Sequence, residues 1–318
     1  MILRRRTKPL PLEKIDAILP RLSPRFYNLP ALKKESAQRY KGYIGERKVD
    51  YFLNQLPSSF LTIQDVCLKT HGKGFQIDSL LISHHAIYLI EVKNYGGTIT
   101  FNPTLKQFTR NNGNHEEGFS YPLTQVENTQ HQLTNWLHDH HFYNIPIYSF
   151  IAISEPSTII KVVGEESQIA QSVTHGEHLL KKILNLDKEI KTDKNTKLQT
   201  GEIGQAILRA CVEFDIDIFR NFNIKIEDIM TGVQCPECSQ LAMYREFGVW
   251  QCNYCQKRSK YAHLKTLSDH FRMGNKSITN KECRKLLHLD SRSTATRILK
   301  SSHLIYQKEH RYWIPKKS

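Results

Sequence analysis

The chain has 318 residues, 39% hydrophobic and 24% charged, an ordinary globular composition with apolar material for two or three domains. A formal net charge of +14 favours anionic partners, and seven cysteines are too few and too clustered for a disulfide scaffold. No apolar run is long enough to cross a bilayer, and the basic start Met1–Leu12 has no apolar segment behind it, so no membrane partner and a cytoplasmic location are expected.

Charge is unevenly spread. Residues 1–50 hold 13 Lys and Arg against 5 Asp and Glu, residues 51–232 hold 15 against 20, and residues 233–318 hold 17 against 6. Basic ends suit a phosphate backbone, and an acidic middle suits a site that collects cations.

Residues 1–35, with five prolines, read as a basic N-terminal arm, extended apart from a short helix around Glu13–Leu19. Tyr40, Tyr43, Ile44, Val49, Phe52, Leu53 and Leu56 recur at helical spacing, and Pro57 stops the run. Phe60–Lys69, Phe75–Ser83 and Ala86–Lys93 then read as three strands of a meander. Shorter strands are expected at Thr98–Phe101 and Gln107–Arg110, a helix from Pro122 to about His140, and a strand at Ile147–Ile153. A helix at Gly176–Leu186, a polar linker near Asp187–Thr200 and a helix at Ile203–Phe219 follow. This order predicts one α/β domain over residues 36–230, a mixed central sheet flanked by helices.

The meander carries the chemistry. A tight turn at His84–His85 pairs Ser83 with Ala86, Leu80 with Leu89 and Asp78 with Glu91, with Cβ atoms of the last pair about 4.5–5.5 Å apart. Lys93 falls on the same face as Glu91. Read singly, each is an ordinary strand-end charge. Together they form a repelling carboxylate pair that wants a cation, and hard oxygen ligands of this kind suit Mg²⁺. A metal so held activates water and neutralises charge on a phosphate, with Lys93 assisting.

Gly45-Glu46-Arg47, Gln76-Ile77-Asp78, Glu91-Val92-Lys93 and Asn94-Tyr95-Gly96-Gly97-Thr98-Ile99 together resemble the NERD (nuclease-related) domain over roughly Lys41 to Ser154. Asn102-Pro103 and the run from Pro122 to Gln125 stand in familiar places. The family resembles a branch of the restriction-endonuclease-like, PD-(D/E)xK, nucleases. The resemblance implies that fold, Mg²⁺ or Mn²⁺ as cofactor, Asp78 and Glu91 as ligands and Lys93 as the catalytic lysine. It further implies Glu46 as a helix-borne carboxylate reaching the same metal and Gln125 as a supporting polar group. A homodimer is compatible with it, since many nucleases of this fold pair up.

Cys235 and Cys238 form one CxxC pair, Cys252 and Cys255 a second 13 residues on. That spacing reads as a Cys₄ zinc ribbon over residues 233–262, in which Zn²⁺ supplies most of the folding energy. Lys257, Arg258 and Lys260 follow closely. Over residues 270–318, two helices (Ile278–Leu287, capped near Thr279 or Asn280, and Ser291–Lys300) and a hairpin (Leu304–Gln307, Arg311–Ile314) resemble a winged helix-turn-helix. Arg292, Thr294, Thr296 and Arg297 would face a major groove, with Lys308, His310 and Arg311 at the wing. Tyr and Phe are plentiful, but no spacing suggests a base-stacking platform. His138-Asp139-His140-His141 reads as a solvated helix end, and no phosphate-binding glycine loop occurs.

The expectation is a metal-dependent nuclease acting on DNA. Two other readings remain open at this point: a catalytically inactive DNA-binding regulator or scaffold, and an RNA-processing nuclease.

Overall fold

The computed structural model describes residues 1–193 and 197–316. In chain order its elements begin with β1 (Ile2–Arg4), α1 (Leu10–Ile18), α2 (Leu29–Leu53), β2 (Leu61–Thr70), β3 (Lys73–Ile82), β4 (Ile87–Lys93), β5 (Thr98–Asn102), β6 (Gln107–Asn111) and β7 (Glu116–Phe119). Next come α3 (Pro122–Asp139), β8 (Ile147–Ile153), β9 (Ile159–Val162), α4 (Glu166–Ser172), β10 (Val173–His175), α5 (Gly176–Asp193), α6 (Thr200–Ala210) and α7 (Ile218–Asn221). Then follow β11 (Met243–Glu246), β12 (Val249–Cys252), β13 (Arg258–Ser259), α8 (Ala262–Arg272), α9 (Asn280–Leu287), α10 (Arg292–Ser301), β14 (Leu304–Gln307) and β15 (Tyr312–Pro315). No helix among the described residues is long and apolar enough to cross a membrane.

The chain divides into two units, one of Met1–Lys8 with Arg39–Phe214 and one of Pro9–Gln38 with Asp215–Ser318. The first is built on a mixed six-stranded sheet in the order β1-β2-β3-β4-β8-β10. Strict alternation along β3 and β4 sorts the side chains onto two faces. Leu80, Ile82, Ile87 and Leu89 pack with Val126, Leu133 and Trp136 of α3 and Ile203 and Ile207 of α6. Leu81, Tyr88 and Ile90 pack on the other face with Val49 and Leu53 of α2 and Leu179 and Ile183 of α5. A second sheet, β7-β6-β5-β9, follows the end of β4.

The second unit contains two apolar cores. One joins Ile15, Ile18 and Leu22 to Ile218 and Ile224. The other joins Val233, Cys235 and Trp250 to Leu267 of α8, Leu286 of α9, Ile298 of α10 and Trp313 of β15.

Several expectations need correction. Residues 1–35 are not a separate extended arm: Ile2 and Arg4 pair in parallel with β2 at the sheet edge, and residues from Pro9 onward belong to the second unit. Prolines did not exclude helix there because Pro11 and Pro30 stand in first turns, where the missing N–H costs nothing. The expected domain edge near 230 falls at 214, and the cysteine segment and basic tail share one core rather than forming isolated modules. The expected linker from Asp187 is helical as far as Asp193, and residues 194–196 lie outside the described residues. The single helix expected over Ile203–Phe219 is broken after Ala210, because the Val212 N–H is donated to the Cys67 carbonyl at 2.9 Å instead of continuing the helix.

Candidate active site

The site lies where β3 and β4 part. Their register is the expected one, with Leu80 opposite Leu89 and Ser79 opposite Ile90, but the ladder ends there. Asp78 and Glu91 are not a hydrogen-bonded pair. The Asp78 carboxylate instead accepts the Val92 N–H at 2.7 Å, taking the place of a backbone acceptor and holding the fork open. On its other side, the β2–β3 ladder keeps one register from Gln64–Ser79 to Val66–Ile77 yet skips the position between. Asp65 stands there in β2 with φ +55°, a left-handed conformation that acidic residues tolerate better than most. The sheet is thus locally disrupted on both flanks of Asp78.

Three predicted residues close a triangle beside it. Lys93 Nζ donates to Glu91 Oε1 at 2.8 Å and to Gln125 Oε1 at 2.9 Å, and Gln125 Nε2 donates to the same Glu91 oxygen at 2.7 Å. Alternation along β4 puts Glu91 and Lys93 on the face covered by α3, and Gln125 comes from that helix's first turn. Glu91 is 6% exposed.

Glu46 approaches from α2. Close packing allows this: a Cβ added at Gly45 would stand 2.6 Å from Asn94 Cβ and 2.8 Å from Ser154 Oγ, so only glycine lets the helix lie against the end of β4. Glu46 is held by a residue that sequence reasoning missed. Arg6, two residues beyond β1, donates to Glu46 Oε2 at 2.6 Å, to Asp50 Oδ2 at 2.8 Å and to the Asp78 carbonyl at 2.6 Å. Its side chain is 2% exposed. Ser79 Oγ also donates to Asp50 Oδ1 at 3.2 Å, and the Arg6 N–H is donated to Gln64 Oε1 at 2.7 Å.

The electrostatics follow from this crowding. Burial pushes the Asp78 carboxyl well above its ordinary range, with Glu91 and Glu46 adding to the effect and the Val92 N–H and Arg6 opposing it. Burial also raises Glu46 against the pull of Arg6. Burial alone would lower the Lys93 ammonium, but Glu91 outweighs it and the net shift is upward, so Lys93 stays cationic at neutral pH. The same balance, set by Asp50 and Glu46 against burial, keeps Arg6 charged. The acids here outnumber their counter-charges, and that excess fits a divalent cation. The oxygens are not yet gathered around one point, however. Among the described residues, only the four cysteines bring three or more metal-binding side chains within 4.8 Å of one another. Arg6, the Val92 N–H and the Lys93–Gln125 pair each hold a different carboxylate.

In the second unit, Cys235 Sγ lies 3.5 Å from Cys255 Sγ and Cys238 Sγ lies 3.6 Å from Cys252 Sγ. A four-thiol cluster of this kind is compatible with a zinc ribbon, and the segment between the cysteine pairs folds as the hairpin β11–β12, with β13 as a third strand. Within the crowded thiols the shifts are opposite: against burial, the N–H groups of Cys255 and Tyr254 bring Cys252 down to about 7, while Cys238 is pushed up to about 12.

The basic candidates are all in this unit. Lys257, Arg258, Lys260, Arg292, Arg297, Lys308 and Arg311 are exposed, with Lys257 paired to Glu237 at 3.3 Å. Ser291 caps α10 by accepting the Thr294 N–H, and Thr279 caps α9 in a reciprocal box with Glu282. Thr296 is committed elsewhere: its hydroxyl donates to the Arg292 carbonyl and accepts from Asn280 of α9.

An uncharacterized protein of Bacillus anthracis is 27% identical over 143 residues, covering 44% of this chain and 65% of that protein's length. A crystal structure of a Vibrio cholerae protein aligns over 51% of this chain and 36% of its own at 12% identity, but with a TM-score of 0.24, a likeness that carries no argument. The family profile described as nuclease-related domain, NERD, matches residues 41–154, the segment that contains the strand fork, Glu46, Asp78, Glu91, Lys93 and Gln125. Residues 41–154 thus form a nuclease-related domain of the NERD type.

Proposed function

We propose that this protein hydrolyses phosphodiester bonds of DNA, in DNA processing, at the fork between β3 and β4. The carrying observation is the closed Glu91–Lys93–Gln125 triangle next to a buried Asp78 that is crowded by other carboxylates. A PD-(D/E)xK site would use this donor set. Asp78 and Glu91 would hold Mg²⁺ or Mn²⁺, with Glu46 contributing the oxygen that Arg6 leaves free. A bound ion supplies charge neutralisation at the phosphate and a more acidic water. Lys93, cationic and fixed by Glu91 and Gln125, stabilises the negative charge that grows on the phosphate. Gln125 keeps the lysine and Glu91 in one orientation. Arg6 restrains Glu46 and Asp50, which would otherwise repel Asp78.

The second unit would bind the nucleic acid. The cysteine cluster takes Zn²⁺ as a closed structural site. The helices α9 and α10 with the β14–β15 hairpin would serve as a winged helix-turn-helix. Arg292, Thr294 and Arg297 would reach a duplex from α10, Lys308 and Arg311 from the wing, and Lys257, Arg258 and Lys260 from the ribbon.

The test is plasmid cleavage by the full chain with Mg²⁺ supplied or omitted, omission being preferable to a chelator that would also strip zinc. Asp78→Ala and Lys93→Ala should each lower nicking at least about a hundredfold while DNA binding survives. Cleavage persisting in both variants would remove this assignment.

A further inference from the structure

Between the β11–β12 turn and the start of α10, the second unit has a groove of about 1020 Å³. Its lining includes Tyr244, Arg245, Phe247, Tyr261, Thr294 and Arg297. We propose that this groove binds a single nucleic-acid strand, with Phe247 and Tyr261 stacking on unpaired bases and Arg245 and Arg297 holding the phosphate between them.

Three observations support this. The first is the turn itself. Phe247 and Gly248 both have positive φ, 44° and 86°, the conformation of a two-residue hairpin turn that favours Asn-Gly. A phenylalanine there is costly to the backbone, and the residue is 94% exposed to water. Neither folding nor solubility benefits from that choice, whereas a ring displayed at a turn tip can stack on a base. Tyr261, 62% exposed and with Lys260 Nζ 5.7 Å from its ring centroid, stands on the same groove.

The second is charge. Arg245 and Arg297 are close enough that Arg297, after burial, lowers the Arg245 pKa. Neither forms an ion pair among the described residues, although Asp290 also lines the groove. The third is an orphaned donor. Arg245 Nη1 is buried without a hydrogen-bond partner, while the guanidinium lies 5.2 Å from the Trp250 ring centroid. Two guanidinium groups lining one groove without a carboxylate partner suit a phosphate. His263 does not compete for it: burial, then Arg245, bring it down to about 4, and its neutral ring accepts the Trp250 indole N–H at 2.9 Å.

A duplex hides its base faces, so stacking selects unpaired strands, such as a fork or flap beside a duplex. The inference deepens the nuclease reading by naming the structure of its substrate. Tyr244, Phe247 and Tyr261 share no motif spacing in the sequence and line one groove only through the fold.

The test uses the full zinc-loaded chain carrying Asp78→Asn, with Ca²⁺ in place of Mg²⁺. Fluorescence anisotropy would follow labelled oligothymidylate and oligouridylate of about twenty nucleotides and a duplex of equal length. Phe247→Asn suits the turn better than phenylalanine, so the melting temperature should hold or rise. Affinity for single strands should fall about tenfold, with duplex affinity within about twofold. Tyr261→Ala should do the same. Arg297→Gln should weaken both ligands and reduce the salt slope by about one. Loss on either oligomer upholds the proposal and shows which sugar the groove accepts. Single-strand affinity unchanged in both aromatic variants, or an equal fall on the duplex, would overturn it. Cleavage by the parent chain, assayed separately, reports on the nuclease reading alone.

Discussion

Replacing Arg6 by alanine tests the electrostatic design of the site most directly. The Arg6 guanidinium lies 2.6 Å from Glu46 and 2.8 Å from Asp50, and the three side chains are 2%, 20% and 8% exposed. Solvent screens such a cluster weakly. Removing one partner of a buried ion pair costs about 3–5 kcal/mol, because the remaining charges are left without compensation. For a unit of this size each kcal/mol moves the melting temperature by about 2–4 °C, so a fall of about 6–20 °C is expected. Calorimetry of the full chain reads this. Asp50→Asn added to Arg6→Ala removes one of the orphaned carboxylates and should recover part of the loss, so the double change falls short of the summed single effects. Divalent ions should stabilise the Arg6→Ala chain more than the parent, since they substitute for the missing cation. A fall under about 3 °C, or strictly additive effects, would show that Arg6 does not neutralise these acids.

Asp78→Asn should stabilise the metal-free protein at neutral pH while destroying its activity. Asp78 is raised in the folded chain, so folding gains from its proton below the ordinary value of 3.8, and that gain is lost as the pH climbs through the folded-state value. The variant should therefore melt higher than the parent at about pH 8, with the difference vanishing near about pH 4; a gap of constant size would contradict the assigned shift. Gly45→Ala forces a methyl group to within 2.6 Å of Asn94 and 2.8 Å of Ser154, and should cost about 1–3 kcal/mol in denaturant melts together with activity. An alanine variant as stable as the parent would mean that α2 has room to shift. Atomic emission should find about one zinc per chain, falling to none with Cys252→Ser, and the near-ultraviolet signal of Trp250 should be lost with it. A metal-free chain that keeps that signal would count against a structural zinc.

The sequence disclosed the parts of the site that are local. The β3–β4 register follows from a two-residue turn and strict alternation, which bring Leu80 opposite Leu89 and put Glu91 and Lys93 on one face. It did not disclose that the ladder stops one step short of Asp78, since a side chain substituting for a backbone acceptor leaves no trace in hydrophobic pattern. Arg6 was invisible for another reason. Its partners are 40, 44 and 72 residues away, and three edge residues are too short to show a period. Surrounding prolines and basic residues instead suggested a solvated arm. The faint available signal was Ile2-Leu3 ahead of an arginine in an otherwise polar start. Strands β7, β9 and β10 were missed because each has three or four residues and little alternation, so their existence depends on neighbours already in place. The cap at Thr279 and the cysteine spacing were legible because they are short-range chemistry.

The route of the backbone has a practical consequence. Residues 9–38 and 215–318 complete one folded body, and Ile15, Ile18 and Leu22 share its interior with Ile218 and Ile224. Shortening the protein to its first 214 residues would keep the nuclease-related segment while stripping the cover from that N-terminal stretch. Such a fragment would present a sticky oily surface a few positions after Arg6. Its precipitation would then report an amputated neighbour, and should not be mistaken for instability of the nuclease-related unit.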